Sequence, residues 1–169
     1  MADSGLRFVC DAMLGGLARW LRAAGYSAAF DVHAADGALV RKALDEGLCL
    51  LTSDSGIMER YAVAQGLIRC VFVPRNAPPT EQLAHVMAAL GLQLREPRCM
   101  VCDGVLAPMA AQDARDHVPP KVRRRQMCFF RCRACGKVYW HGTHWERIRR
   151  RLGRARDRAA ALEDGLGPE

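Results

Sequence analysis

The sequence predicts an α/β fold with a mainly parallel sheet, followed by a small cysteine-rich module. Short apolar runs alternate four times with helical periodicity in residues 1–95, and the connections between them are short. This alternation is typical of βαβ units. From residue 99 onward, paired cysteines and a basic segment replace the alternation. The chain has 169 residues, of which 50% are hydrophobic, enough for one domain with an appendage.

Each predicted element follows from spacing and from the residues that end it. The strands are predicted at residues 6–10, 27–30, 48–52 and 68–73, and the helices at residues 14–24, 36–46, 55–65 and 80–90. Glycine follows each helix closely, as expected at a helix end. The uninterrupted apolar runs 48–52 and 68–73 indicate strands buried on both faces. Cys10, Cys49 and Cys70 lie on these strands, and we interpret them as small buried hydrophobic residues.

The cellular location is predicted from what the sequence lacks. No apolar run approaches the roughly 18 residues that a membrane span needs, so no membrane partner is expected. The first 25 residues carry five charged side chains and do not form a secretory signal. We therefore expect a reducing, cytoplasmic location, in which eight cysteines favour metal binding over disulfides.

Two C-x-x-C pairs predict a structural zinc ribbon. The ligands would be Cys99, Cys102, Cys132 and Cys135, with 29 residues between the pairs. Four thiolates form a closed tetrahedral zinc site that leaves no open position for substrate. Glycine after the second cysteine of a pair is expected to permit the tight turn. The alternatives are paired disulfides or a redox C-x-x-C, and Cys128, His141 and His144 are spare candidate ligands.

The charge distribution divides the chain. Residues 1–95 carry nine basic and nine acidic residues, whereas residues 115–158 carry fifteen basic and three acidic ones. Five of the eleven aromatic residues fall between residues 129 and 145, among arginines. Arginine pairs with phosphates and aromatic rings stack on unpaired bases, so this segment predicts a nucleic-acid-binding surface. We divide the chain into an α/β domain (1–96), a zinc ribbon (97–152) and a frayed tail (153–169).

Three aspartates are candidates for a catalytic metal site. Asp11 follows the first strand, Asp54 follows the third, and Asp36 opens the second helix. Ligands bind at the carboxyl ends of strands in parallel sheets, and carboxylates there can hold Mg²⁺ or Mn²⁺. The alternative is that each aspartate only caps a helix. Thr52 and Ser53 are expected either to hydrogen-bond a phosphate or to hold the turn. Asp31 and Glu59 are weaker candidates for a fourth acid.

Two segments and the cysteine pairs carry a family resemblance. Residues 8–22 and 50–56 resemble the two acidic turns of the Mut-seven-type C-terminal RNase domain family, which usually has arginine at the position of Ser53. Cys99-x-x-Cys102, Pro119-Pro120-Lys121-Val122 and the segment 132–145 are similar to the family's ribbon. The resemblance implies a PIN-like three-layer domain with an attached zinc ribbon and RNA as partner. It assigns Asp11 and Asp54 to carboxylate positions, with Asp36 as the third.

Two functions are consistent with these features. The first is a divalent-metal-dependent ribonuclease, in which Asp11, Asp36 and Asp54 hold Mg²⁺ or Mn²⁺ and water attacks the phosphodiester. The second is a non-catalytic RNA-binding module in which the acids are structural. In both, the partner is expected to be single-stranded RNA. The predicted RNA-contacting residues are Arg19, Arg22, Arg123, Arg124, Arg125, Arg131, Arg133, Lys137, Tyr139, Trp140, His144 and Trp145.

Overall fold

A four-stranded parallel sheet forms the centre of the front half. A computed structural model describes residues 5–164, without the side chain of Tyr61. The strands are β1 (Arg7–Cys10), β2 (Ser27–Phe30), β3 (Cys49–Thr52) and β4 (Cys70–Phe72). Their order is β2-β1-β3-β4, and every neighbouring pair is parallel. The predicted α/β class with a parallel sheet is confirmed.

Helices cover both faces of this sheet and complete three layers. The helices are α1 (Gly15–Ala23), α2 (Asp36–Glu46), α3 (Ser55–Met58), α4 (Tyr61–Ala64) and α5 (Pro79–Leu90). Alternate strand residues point to opposite faces. Phe8 and Cys10 therefore join the core beneath α1 and α5, whereas Val9 and Leu50 join the core beneath α2, α3 and α4.

The helix predicted at 55–65 is broken into α3 and α4. Ile57 and Val63 are both buried in the same core. In one continuous helix, six residues of separation would place them about 120° apart around the axis. The break after Met58 lets both side chains reach the sheet.

The last strand of the sheet is shorter and more exposed than predicted. The apolar run 68–73 predicts a strand buried on both faces, but β4 covers only Cys70–Phe72 and Phe72 is 45% exposed. The reason is its position at the edge of the sheet, where only β3 pairs with it. Ile68 and Val73 are buried on either side of the strand.

A small antiparallel sheet forms the ribbon. Its strands are β5 (Leu106–Met109), β6 (Phe129–Cys132) and β7 (Val138–Trp140), in the order β5-β6-β7. A 3-10 turn and the short helix α6 (Pro120–Arg123) connect β5 to β6. The ribbon has its own core, in which Ala114, Val118 and Phe129 are buried.

The last described residues form a long helix, and the predicted tail is wrong for residues 153–164. Helix α7 runs from Thr143 to Asp164 and packs on α5 and α1. It buries Ile148, Leu152, Ala155 and Ala159 in the core beneath α1 and α5. These positions recur every three or four residues, so they form one stripe along the helix. Residues 165–169 of the predicted tail lie outside the described range. No helix within 5–164 is both long and apolar enough to cross a membrane.

Candidate functional site

The strand order locates a crevice between β1 and β3. From β1 the chain moves outward to β2, and from β3 it moves outward on the other side to β4. In open α/β sheets, ligands bind at the carboxyl ends of the strands where the order reverses in this way. Asp11 directly follows β1, and Ser53 and Asp54 follow β3. The crevice is therefore bordered by two of the predicted aspartates.

Asp11 is a buried carboxylate held by three hydrogen bonds. Its side chain accepts from the Thr52 hydroxyl at 2.7 Å and from the Ser53 backbone N–H at 2.7 Å, both on Oδ2. Oδ1 accepts from the Met13 backbone N–H at 2.9 Å. The residue is only 4% exposed. Since a carboxylate offers about four acceptor positions, one position on Oδ1 is left for a ligand.

The other acidic candidates are more exposed and locally bonded. Asp54 caps α3, where its Oδ1 accepts from the Gly56 N–H at 2.7 Å. Asp36 opens α2 and pairs with Arg60 at 3.6 Å. Asp31 accepts from the backbone N–H of His33 at 2.9 Å, and Glu59 is exposed at the end of α3.

The carboxylates are not gathered into a preformed three-ligand site. Within residues 5–164, the only group of three or more metal-ligating side chains whose ligand atoms all lie within 4.8 Å of one another is a group of cysteines. The aspartates therefore border one edge of the sheet without their oxygens converging there. A divalent cation that used them would bind through fewer protein ligands or after a local rearrangement.

The turn after β3 both supports Asp11 and leaves one polar atom free. The Thr52 hydroxyl donates to Asp11 and accepts from the Asp54 N–H at 3.0 Å, so it holds the turn. The Ser53 hydroxyl is buried and has no hydrogen-bond partner among the described residues. A buried hydroxyl without a partner costs roughly 1–3 kcal/mol. A ligand oxygen or water in the crevice would satisfy it.

The four predicted zinc ligands converge at the ribbon. The sulfur atoms of Cys99 and Cys135 are 3.7 Å apart, and those of Cys102 and Cys132 are 3.5 Å apart. Tetrahedral zinc with Zn–S distances of about 2.3 Å requires sulfurs about 3.8 Å apart. The close pairs each join one C-x-x-C motif to the other, and all four cysteines are free of disulfides. The group fits a zinc ion, and the sulfurs lie at the separations that zinc requires rather than at a disulfide's bonding distance of about 2 Å.

The two turns that carry these cysteines differ in one respect from the prediction. Gly136 follows Cys135 with φ 74°, as expected for a tight turn. In the first turn the left-handed position is occupied by Asp103, with φ 67°. Gly104 serves a different purpose, since a Cβ there would lie 2.5 Å from the Cys132 sulfur. The glycine is needed because the backbone passes against the sulfurs.

Hydrogen bonds shift the pKa values of the two sulfurs in the first C-x-x-C pair in opposite directions. Burial disfavours the Cys99 thiolate, but hydrogen bonds from the Tyr139 hydroxyl at 3.0 Å and from backbone N–H groups lower the pKa of Cys99 to about 6. For Cys102, the Gly104 N–H favours the thiolate, yet the sulfurs of Cys135 and Cys132 raise its pKa to about 12. Four adjoining thiolates repel one another, and a divalent cation removes that repulsion.

The remaining cysteines and histidines lie outside this group. Cys128, His141 and His144 do not join the cysteine cluster. His141 is instead stacked on Trp145, with ring centroids 5.9 Å apart. Cys10 and Cys49 are buried, and burial raises the pKa of Cys49 to about 12. Cys70 is only half-buried, because it lies on the edge strand.

Arg22 connects the α/β domain to the ribbon. Its prediction as an RNA-contacting residue is wrong. It is 8% exposed, and its guanidinium donates to the carbonyl oxygen of Ala28 on β2. It also donates to the carbonyl oxygens of Met100 and Val101, between the first two cysteines. These bonds direct the guanidinium into the protein. The sequence showed only two arginines one helical turn apart, and docking of the ribbon decides which one is buried.

A second contact across the same junction involves Asp103. Its Oδ2 accepts from the Ser27 hydroxyl on β2 at 2.6 Å, and its Oδ1 accepts from Arg98 at 2.8 Å. Its left-handed backbone is thus held from both sides. The junction connects the first cysteine turn to the α/β sheet. No local sequence pattern predicts it, because Ser27 and Asp103 are far apart in the chain.

The Mut7-C RNAse domain family matches residues 6–152. The chain belongs to this family. No curated protein and no solved structure matches the chain.

Membership in the Mut7-C RNAse domain family supports a ribonuclease-like function with RNA as substrate. The match spans both the acidic edge of the sheet and the cysteine ribbon. It ends at residue 152, within α7. More than half of that helix, residues 153–164, therefore lies beyond the Mut7-C match.

The basic residues predicted to contact RNA are mostly on the surface of this Mut7-C domain. All but Arg22 are exposed: Arg19, Arg123, Arg124, Arg125, Arg131, Arg133, Lys137 and His144. Arg123 also donates to the Val118 carbonyl oxygen at 3.2 Å. The exposed side chains are free to reach phosphates.

The three predicted aromatic contacts are partly buried and have structural neighbours. Tyr139 hydrogen-bonds Cys99, and Trp140 packs on the ribbon core. Trp145 packs on the large core beneath α1 and α5. These rings contribute to packing, which reduces the ring surface open to a base.

Proposed function

We propose that the chain is a divalent-metal-dependent ribonuclease that hydrolyses phosphodiester bonds of single-stranded RNA at the carboxyl edge of the sheet. The observation that carries the proposal is the junction of Asp11 with Thr52 and Ser53. There a buried carboxylate with one free acceptor position lies beside a buried hydroxyl that has no partner within residues 5–164, where the strand order reverses.

The donors at this edge fit Mg²⁺ or Mn²⁺ by their chemistry. They are all oxygen atoms, and Mg²⁺ is usually held by one or two carboxylates together with waters and substrate phosphates. Asp11 and Asp54 would hold the cation, and Asp36 would supply a third carboxylate after exchanging its ion pair with Arg60. That pair is about half exposed, so breaking it costs little. When bound, the cation supplies Lewis-acid stabilisation of charge on the phosphate and lowers the pKa of water.

The chain's own groups would orient this site. Three hydrogen bonds fix the Asp11 carboxylate in one rotamer, so little ordering is needed when a ligand binds. The Ser53 hydroxyl would donate to a phosphate oxygen of the RNA or to an ordered water. Exposed basic residues of the ribbon would hold the strand through its phosphates.

A second function is favoured by a specific observation. Each aspartate already accepts a local hydrogen bond or an ion pair, and their oxygens do not converge in the described structure. This arrangement also suits a non-catalytic RNA-binding module in which Asp11, Asp36 and Asp54 stabilise turns and helix ends.

Asp54→Asn separates the two functions. Asparagine caps helices as well as aspartate does, so α3 should be retained while the charge is removed. The control is Asp45→Asn, which removes an exposed charge near the end of α2, at the opposite edge of the sheet. Labelled single-stranded RNA would be incubated with Mn²⁺ and each protein, then run on denaturing and native gels.

If the proposal is right, Asp54→Asn lowers the cleavage rate on the order of 100-fold or more, a scale seen when one charge-stabilising group is lost. RNA binding should persist, and Asp45→Asn should cleave at the parental rate. RNA that is shifted but intact with every protein, including the parent, would establish the binding module. Equal cleavage by all three proteins would show that Asp54 does not hold the cation.

A further inference from the structure

Helix α7 carries a row of exposed arginines, some of which fall within the tail predicted from the sequence. The helix exposes seven arginines along its length: Arg147, Arg149, Arg150, Arg151, Arg154, Arg156 and Arg158. Its opposite side is buried against α5 and α1. Because the helix is anchored along its apolar stripe, the exposed arginines are held in a fixed arrangement.

Four of these arginines form one ridge without acidic partners. At 100° per residue, Arg147, Arg150, Arg151 and Arg154 fall within a sector of about 100°, and we call them the α7 ridge. None of the four makes an ion pair with any residue in 5–164. In contrast, Arg156 pairs with Asp157 at 2.8 Å, and Arg158 pairs with Glu81 at 3.5 Å.

This arrangement costs the helix stability. The helix dipole gives the ridge arginines no stabilisation, because it favours basic residues in the last turn and none of the four lies there. Glu163 and Asp164 occupy the C-terminal turn, where the dipole favours basic residues. Like charges four residues apart, as in Arg147 with Arg151, add repulsion of about 0.2–0.5 kcal/mol. Helix formation alone therefore does not explain the ridge, whereas an external polyanion would offset the repulsion between its arginines.

Helix α7, which carries the ridge, runs from the ribbon towards the acidic edge of the sheet. Helix α7 starts three residues after β7 ends. Near its other end Arg158 contacts Glu81 in the first turn of α5, which follows the carboxyl end of β4. The start of α5 also adjoins the start of α1, since a Cβ on Gly16 would lie 2.7 Å from Pro79. The span from Arg147 to Arg158 is about 16 Å along the helix.

We propose that the α7 ridge binds the phosphate backbone of single-stranded RNA and guides the strand between the ribbon and the Asp11 edge. This inference rests on the proposed function, because that function identifies the polyanion as RNA. Arginine side chains on one helical face contact phosphates but carry no base-reading pattern, so binding is independent of sequence. Of the four ridge arginines, Arg154 lies beyond the residues 6–152 that the family matches.

The test compares two double variants that remove the same charge from the same helix. Arg151→Ala/Arg154→Ala removes half of the ridge. Arg149→Ala/Arg156→Ala removes two exposed arginines from the other flank of the buried stripe, well away from the ridge. Alanine is the best helix former, so α7 should persist in both. Circular dichroism and the thermal midpoint check this directly. Binding of a fluorescent oligouridine would be measured by anisotropy on zinc-loaded protein without added Mg²⁺ or Mn²⁺, at several salt concentrations.

Each phosphate contact with single-stranded RNA contributes about 0.7 to the slope of log K against log salt. The ridge variant should therefore reduce the slope by about 1.4, and the control variant should retain the parental slope. Arg151→Lys/Arg154→Lys should restore most of it, because the charge remains. Equal slopes for the parent and the folded ridge variant would overturn the proposal that the ridge binds RNA. The proposed nuclease activity would be unaffected. Absence of RNA binding by the parent would overturn both.

Discussion

The guanidinium of Arg22 on α1 lies 3.0 Å from the carbonyl oxygen of Val101, inside the first cysteine turn. The same buried side chain bonds the Ala28 carbonyl on β2. One arginine therefore holds the metal-binding ribbon to the sheet that carries Asp11. Formation of the cysteine site and the stability of the α/β domain are coupled through this contact.

Arg22→Ala should lower the free energy of unfolding by about 3 kcal/mol, because buried carbonyl oxygens lose charged donors. Arg19→Ala, which removes an exposed arginine from the same helix, should change it by less than about 0.5 kcal/mol. Urea denaturation of both variants makes the comparison. Similar midpoints for the two would show that the Arg22 bridge does not stabilise the fold.

Zinc content distinguishes the four ligands from the remaining cysteines. The purified protein should contain about one zinc ion per chain, as a closed four-thiolate site requires. Cys132→Ser should lose the zinc and unfold the ribbon, whereas Cys128→Ser should keep it because Cys128 lies outside the cluster. Elemental analysis gives the content. Full zinc in Cys132→Ser would contradict the ligand assignment.

The close approach at Gly104 should make even alanine harmful. A Cβ at this position would lie 2.5 Å from the Cys132 sulfur and 2.9 Å from the Ala134 Cβ. Gly104→Ala should therefore weaken zinc affinity by about 10- to 100-fold, the scale of changes around a metal's ligands. A chelating dye measures this by competition.

The matched control is Gly153→Ala on α7, where a new Cβ meets no atom within 4 Å. It should leave zinc affinity unchanged and stabilise the helix by about 0.5–1 kcal/mol. An unchanged affinity in Gly104→Ala would mean that the turn relaxes to accept the methyl group.

The Thr52 hydroxyl should be needed to hold Asp11. Thr52→Val keeps the shape of the side chain but removes the donor to Asp11 and the acceptor of the Asp54 N–H. It should lower the free energy of unfolding by about 1–3 kcal/mol, since the buried carboxylate loses a partner. Thr52→Ser keeps the hydroxyl and should be milder. Chemical denaturation that ranks the serine variant below the valine variant would contradict this role.

Local signals were sufficient for most of the α/β domain. The strand at 27–30 and the helix at 36–46 coincide with β2 and α2, because apolar periodicity and a terminal glycine define them within a few residues. The two C-x-x-C pairs likewise predicted the cysteine cluster, since each pair forms its own turn. In both cases the determining interactions lie within a short stretch of chain.

Long-range packing decided the features that were missed. Residues 153–164 are rich in arginine and alanine, and resemble a solvated tail until α5 and α1 provide a surface for Leu152, Ala155 and Ala159. The break between α3 and α4 arises because two residues must reach the same sheet. The exposed edge strand β4 follows from its place in the strand order, which apolar composition does not reveal.

The sequence by itself determined the α/β class, the family, the four cysteine ligands and the aspartates at the strand ends. Each depends on residue type and short spacing, which the chain carries directly. Only the tertiary structure decided that Arg22 faces the ribbon and that Asp103 bonds Ser27, because these contacts join residues more than 70 positions apart. It also decided that Asp11 lies against Thr52 and that the α7 arginines form one surface, since both follow from how the sheet and its helices pack.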